Sequence, residues 1–156
     1  MRAVVCRVSS AHVTVDGQVV GRVDRGLLVY VGVVCGDDAA DVSWMADKLI
    51  SLRAFPDDQG KMNRSVTDVA GGLLLIPNFT LAGRTRKGTR PSFTDAAPPE
   101  VASALFDQLA ARCAQRAPVA TGVFGAYMTV TADCDGPITL VIDSPQRPQH
   151  ISPPSP

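Results

Sequence analysis

The apolar positions divide the chain into strands near both ends and two helices between them. Val4, Val5 and Val8 open a β-rich stretch. Val13-Thr14-Val15 and Gln18-Val19-Val20 flank Asp16-Gly17, a pair that supplies the positive φ angles of a two-residue hairpin turn. Leu27–Val34 is a continuous apolar run bounded by Gly26 and Gly36, the pattern of a strand covered on both faces. After Asp37-Asp38 the spacing changes. Val42, Met45, Ala46 and Leu49 recur at i, i+3, i+4 and i+7, which predicts a helix with one buried stripe and Trp44 off it, covering a core edge or an interface. Pro56–Gly60 is a turn cluster. Gly71-Gly72 then introduces Leu73–Ile76, a second buried strand that Pro77 should end, having no N–H for the ladder. Pro98-Pro99 begins a second helix, with Val101, Leu105, Leu109 and Cys113 on its inner face. Residues 127–132 and 138–142 read as two closing strands. The expected fold is α/β: mixed β-sheets with two helices packed on one face.

With 156 residues, 46% of them hydrophobic, the chain fits one domain with a core that needs no staples. The domain is expected over 1–142. From 143 to 156 five prolines and few apolar residues predict a disordered tail. Met1–Arg7 is too short an apolar start for a signal peptide, and no run approaches a membrane span, so a cytoplasmic location is expected. The formal net charge is zero, so nucleic acid contact requires a local patch rather than a global field.

Several chemistries lack their residues. No C-x-x-C pair exists among Cys6, Cys35, Cys113 and Cys134, and no histidine stands at zinc-ligand spacing from them, so neither metal nor cofactor is expected. His12 and His150 are the only histidines, one at a strand start and one in the tail, which leaves a Ser-His-Asp triad without a base. Gly83–Arg90 has the glycine spacing of a P-loop but Thr89-Arg90 where Lys-Ser/Thr is needed. The same segment concentrates Arg84, Arg86, Lys87 and Arg90, either a solvated loop or a contact for phosphates.

Two strand-end segments remain: Pro77-Asn78-Phe79-Thr80-Leu81, and Cys134-Asp135-Gly136-Pro137-Ile138-Thr139. By spacing alone both are turns. Together they resemble the Ser-Gln-Phe-Thr-Leu and Asn-x-Gly-Pro-Val-Thr motifs of the D-aminoacyl-tRNA deacylase family. Further collinear matches are Arg7-Val8 with Val13-Thr14-Val15, Gly60-Lys61-Met62-Asn63, Arg90-Pro91-Ser92-Phe93 and Phe124-Gly125-Ala126-Tyr127-Met128. The resemblance covers about residues 1–142. It departs at Pro77-Asn78, where the family has Ser-Gln, and at Cys134, where it has Asn. Proline at the first position resembles the sister group of animal tRNA deacylases, which begin this motif with Pro-Gln.

The resemblance implies a homodimeric hydrolase that proofreads aminoacyl-tRNA, cleaving the ester of D-aminoacyl-tRNA and of glycyl-tRNA charged on the wrong tRNA. It implies a cis Gly136–Pro137 bond, the type of bond for which cis is common, inserted into the partner's site so that backbone carbonyls meet the substrate ammonium and exclude an L side chain. Phe79, Thr80, Gly136 and Pro137 are then the catalytic set. Backbone N–H groups near Phe79 and Thr80 face the oxyanion, and the 2′-OH of the terminal adenosine assists. Arg7 braces the Gly-Pro loop, and Pro77, Asn78, Leu81, Met128, Ile138 and Thr139 complete the substrate site. Arg84, Arg86, Lys87 and Arg90 contact tRNA phosphates near the acceptor 3′ end. Two other readings stand beside this one: a deacylase of tRNA mischarged with L-alanine or glycine, suggested by Pro77, and a non-catalytic nucleic-acid-binding protein using the basic loop.

Overall fold

A computed structural model describes residues 1–86 and 88–145. Its framework is one long strand, β1 (Arg2–Val15). Along one edge β1 pairs antiparallel with β8 (Thr129–Asp143). Along the other it pairs with β3 (Gly26–Gly32) through Arg2–Val8, then with β2 (Gln18–Val23) through Ala11–Val15. Beyond β3 lie β6 (Gly72–Pro77) and β7 (Val119–Thr121), both joined in parallel. The predicted hairpin is present, with Asp16 and Gly17 both at positive φ. A small pair, β4 (Phe55–Pro56) with β5 (Met62–Arg64), stands apart from the main sheet.

The sheet curls until its ends meet. A Cβ added at Gly21 of β2 would lie 2.6 Å from the Thr121 carbonyl of β7, so only glycine admits this approach. The curl encloses a small core of Val8, Ala11, Val13, Val23, Leu28, Leu74 and Ile76. The larger core lies on the opposite face. There Ala3, Val5, Leu27, Val29, Val31, Leu73 and Leu75 meet two helices, α1 (Ala39–Ser51) and α2 (Pro99–Ala114). Asp38 caps α1 through a capping box with Asp41, which satisfies N–H groups the first turn leaves without acceptors. The predicted stripe of Val42, Met45, Ala46 and Leu49 is buried, and Trp44 covers the edge of this core.

Several expectations shift. Residues 127–132 and 138–142 are not separate strands; β8 runs through both, irregular where it passes Cys6 to Ser10 of β1. Val101 is 45% exposed, and Ala102 and Phe106 join Leu105, Leu109 and Cys113 on the inner face of α2. The folded chain also extends past 142. Asp143 ends β8 and pairs with Arg2, and Ser144 is buried, its hydroxyl accepting from the Met1 ammonium at 2.7 Å. Lys87, His150 and the rest of the tail lie outside the described residues.

Candidate active site

β6 delivers the first motif. Pro77 occupies its last ladder position beside Val31, and the next residue, Asn78, still donates its backbone N–H to the Val31 carbonyl at 2.8 Å. Asn78 then caps a single 3-10 turn, Phe79–Ala82. Its side-chain oxygen accepts from the Thr80 N–H at 3.2 Å and from the Thr80 hydroxyl. The turn is clasped further by Leu81 N–H to the Asn78 carbonyl at 3.3 Å and Gly83 N–H to the Thr80 carbonyl at 3.0 Å. Gly32 of β3 lies directly beneath: a Cβ there would stand 2.8 Å from Leu81 Cβ and 3.1 Å from the Asn78 carbonyl. The Asn78 N–H bond and the close approach over Gly32 therefore seat the turn on β3.

Two consequences follow for the chemistry. The Thr80 hydroxyl donates to an amide oxygen, which has no appreciable basicity, so this contact does not make it a nucleophile. The Thr80 N–H is also engaged, whereas no described residue accepts from the Phe79 N–H. The Phe79 ring is 57% exposed and meets Phe93 edge-on, centroids 5.2 Å apart at 64°. Gly83 makes room for Phe93, whose Cε1 would be 2.9 Å from an added Cβ. Met128 reaches the same strand end: a Cβ at Gly122 would lie 2.7 Å from Met128 Sδ, 3.3 Å from Ile76 Cδ1 and 3.4 Å from Pro77 Cδ.

β8 carries the second motif in its irregular stretch. Val8 pairs with Cys134 and Cys6 with Thr139, so two residue steps on β1 face five on β8. The surplus bulges outward as Asp135–Ile138. Gly136–Pro137 is cis and exposed, with Gly136 at φ +130°. Arg7 underlies the bulge. Its side chain is 10% exposed, its Nη1 donates to the Ala54 carbonyl at 2.7 Å, and its Nε lies 2.9 Å from Asp135 Oδ2. No oxygen accepts the Nε–H in line, so Asp135 is held by charge more than by a directed hydrogen bond. Thr139 donates to Cys6 Sγ at 3.6 Å.

The structure thus groups Pro77, Asn78, Phe79, Thr80, Leu81 and Met128 at one place, and Arg7, Gly136, Pro137, Ile138 and Thr139 at another. Between them lie β3 and β1. From β6 to β8 there are three inter-strand steps of about 4.8 Å each, and a single chain does not join the halves. The basic loop belongs with the first group. It starts one residue after Gly83, and its base is closed by reciprocal Arg84–Ser92 backbone bonds of 2.8 and 2.9 Å. Arg84 is paired with Asp95. Arg86 and Arg90 are exposed and pair with no carboxylate among the described residues. A groove of about 1440 Å³ runs from this loop past Leu81 to Met1 and Arg2.

Sequence reasoning missed Asp135, Phe93, Tyr30 and Tyr127. Phe93 was visible only as part of a collinear match, and Asp135 occupied the variable motif position. Tyr30 is the one polar-tipped residue in the apolar β3; burial, and next the fields of Cys6 and Cys134, hold its phenol above the usual tyrosine value. Tyr127 is 93% exposed, beside Met128. His12 is half-buried in β1 opposite Thr131 and Arg22, away from both motifs.

The chain is similar to several known proteins. A family model described as D-Tyr-tRNA(Tyr) deacylase matches residues 4–143. A D-aminoacyl-tRNA deacylase of Opitutus terrae is 56% identical over 151 residues, 94% of this chain and 99% of that protein. Another from Kosmotoga olearia is 49% identical over 144 residues, 92% of this chain and 97% of that protein. Among solved structures, a c-Myc DNA unwinding element binding protein is similar at TM-score 0.89 and 35% identity, over 94% of this chain and 100% of that one. A probable eukaryotic D-amino acid tRNA deacylase is similar at TM-score 0.76 over 90% of this chain and 97% of that one; at 20% identity this is a likeness of fold.

Proposed function

The chain belongs to the D-Tyr-tRNA(Tyr) deacylase family, and on that premise we propose that it is a hydrolase cleaving the ester of D-aminoacyl-tRNA to free amino acid and tRNA. The observation that carries this reading is the rigid turn at Pro77–Gly83, which presents one uncommitted backbone donor at an exposed strand end. The Phe79 N–H is the donor for the developing oxyanion. Asn78 and Gly32 set its direction, and Met128 and the Phe79 ring line the space for the amino acid. Thr80 stabilises the turn rather than attacking. Among the described residues no histidine lies at this strand end, so the attacking water depends on positioning and on the 2′-OH of the RNA's terminal ribose.

The Gly136 and Pro137 carbonyls receive the substrate ammonium and leave no room for an L side chain, while glycine passes. Because the bulge lies three strands from Phe79 in its own chain, it serves the site of a second copy, and the active unit is a homodimer. The outer edge of β8 supports such pairing: Val141 is 66% and Leu140 39% exposed. Arg86, Lys87 and Arg90 contact phosphates of the acceptor end, with Arg84 more tightly tied to Asp95. The enzyme works in the cytoplasm, where charged tRNA is found. No helix among the described residues is long and apolar enough to cross a membrane.

A second reading has one observation in its favour, the similarity to a protein named for binding a DNA element. The zero net charge opposes it. The deciding measurement is hydrolysis of D-Tyr-tRNA and L-Tyr-tRNA by purified protein without added metal. We expect the D-ester to be cleaved more than ~200-fold faster, beyond what one apolar pocket contact discriminates. Preference for L-alanyl or glycyl esters would shift the substrate assignment. No cleavage of any ester, with duplex DNA bound at physiological salt, would favour the non-catalytic reading.

A further inference from the structure

The sheet face opposite the helices carries two thiols that the proposed hydrolysis leaves unused. Cys6 is half-buried, Cys134 is exposed, and both are reduced. Cys134 is also the residue that replaces the asparagine of the family motif. Cys6 is in register with Thr139, and Cys134 with Val8. Paired residues of antiparallel strands share a face, and Cys6 and Val8 are two apart on β1, so both sulfurs leave the sheet on the same side. Two contacts agree. Thr139 donates to Cys6 Sγ. Tyr30, which packs with Cys6 against the small core, feels the field of both thiols. Cys6, Cys134, Tyr30 and Thr139 therefore form one patch at the root of the Gly136–Pro137 bulge.

Distance decides what the pair can hold. Cys134 is a diagonal neighbour of Cys6, and diagonal Cβ atoms are about 7 Å apart. A disulfide needs Cβ atoms about 3.5–4.5 Å apart, so closing one would drag the bulge inward. An ion bound by two thiolates at about 2.3 Å each keeps the sulfurs about 4.6 Å apart and spans the diagonal without that movement. Among the described residues no group of three or more His, Cys, Asp and Glu stands ready for a metal, so a four-coordinate zinc site is not offered. Two soft donors suit a soft ion that accepts two ligands in line.

We propose that Cys6 and Cys134 form a two-thiolate site for a soft monovalent metal ion of the copper(I) class, seated against Tyr30 and Thr139. Binding releases two thiol protons to solvent and leaves a complex of net charge −1. The Thr139 hydroxyl stabilises the Cys6 thiolate, and Tyr30, kept as a neutral phenol by burial, walls the site from water. The ion plays no part in ester cleavage. It ties the first residue of the bulge to β1 and so restrains Gly136 and Pro137; this coupling rests on the deacylase reading, whereas binding does not.

The test uses the full chain carrying Cys35→Ser, which removes the other exposed thiol; Cys113 is buried, its thiol pushed up to about 11. Anaerobic titration with silver(I) or copper(I) against a chromophoric chelator should give one ion per chain. Affinity should fall ~100-fold or more when Cys6→Ser or Cys134→Asn is added, because the second ligand's high effective concentration is lost. Circular dichroism checks folding. A fall of less than ~10-fold, or one ion per two chains, would overturn the site. A Cys6–Cys134 disulfide formed readily with peroxide would overturn the distance argument. Saturating silver(I) should slow D-aminoacyl-tRNA hydrolysis by the Cys35→Ser protein and not by Cys35→Ser with Cys134→Asn. Binding without slowing refutes the coupling. A metal-free protein that cleaves no ester refutes the deacylase reading and leaves the binding result standing.

Discussion

Phe79 and Gly136 both sit where a strand leaves its regular course, yet the two interruptions are built differently. The Phe79 turn is fastened at every step: to β3 by Asn78 N–H, to itself by the Asn78 side chain, and against Gly32 by close contact. The Gly136 bulge stands off the sheet edge. Its described anchors are an undirected charge contact between Arg7 and Asp135 and a weak hydroxyl–thiol bond. The difference teaches that the two halves of the proposed site answer to different forces. One is set by steric fit and neutral hydrogen bonds. The other is set by charge at a partly wet surface, where a partner chain or a bound ion can reposition it.

The largest expected effect is at the bulge. Gly136→Ala adds a Cβ at positive φ, 2.5 Å from the Ile138 nitrogen and 2.8 Å from Ile138 Cγ1. The edge must shift while the cores stay intact. We expect kcat/KM on D-aminoacyl-tRNA to fall about 100-fold, the scale of an ångström's misplacement, with an unchanged circular dichroism spectrum. A wild-type rate would remove Gly136 from the site. Gly32→Ala attacks the rigid half. Its Cβ overlaps Leu81 and Asn78, so we expect roughly 1–3 kcal/mol of lost stability by urea denaturation, together with an activity loss of about tenfold. Unchanged stability would mean the turn is looser than its contacts indicate.

Smaller effects sharpen the electrostatic side. Asp135→Asn leaves the Arg7 guanidinium without its counter-charge. Because half of Asp135 is in water, we expect about 1 kcal/mol, and a loss of activity that high salt reproduces in the parent protein. Salt-independent activity in the parent would show that charge does not hold the bulge. Thr80→Ala removes only a bond to Asn78. We expect activity to stay within ~10-fold; a loss beyond ~1000-fold, the scale of an essential catalytic group, would restore Thr80 as nucleophile. The smallest effect is at the C-terminus. Deleting residues 146–156 should leave activity and stability unchanged, whereas cutting after Ile142 removes the Arg2–Asp143 pair and the Ser144 bond and should lower the melting temperature by several degrees.

Local patterns carried most of the fold. The Asp16-Gly17 turn, the α1 stripe and the apolar β3 and β6 are each written in neighbouring residues. Long-range features were not. β7 is only Val119–Thr121 and depends on β6 for its pairing. In the sequence β8 reads as two strands because Gly136-Pro137 breaks its alternation, and nothing local shows that β1 carries both halves across the break. Val101 has the right spacing for the α2 stripe, but Ala102 and Phe106 place the buried face one position further on. The motif loops were legible by resemblance. Their separation across three strands, and the engagement of Thr80 N–H by Asn78, depend on the folded backbone and could not be read from spacing.

The pairing of β1 with β8 also bears on how the protein is made. β1, made before every other described strand, finds one of its two edges only in β8, the last of them, so closing the sheet requires a loop spanning most of the described residues. Such high contact order slows folding. During translation, β1 to β7 and both helices emerge while the outer edge of β1 is unpaired, a template open to other nascent chains. Ribosome-bound chains halted before Thr129 should therefore need chaperone cover that chains halted well past Ser144 do not.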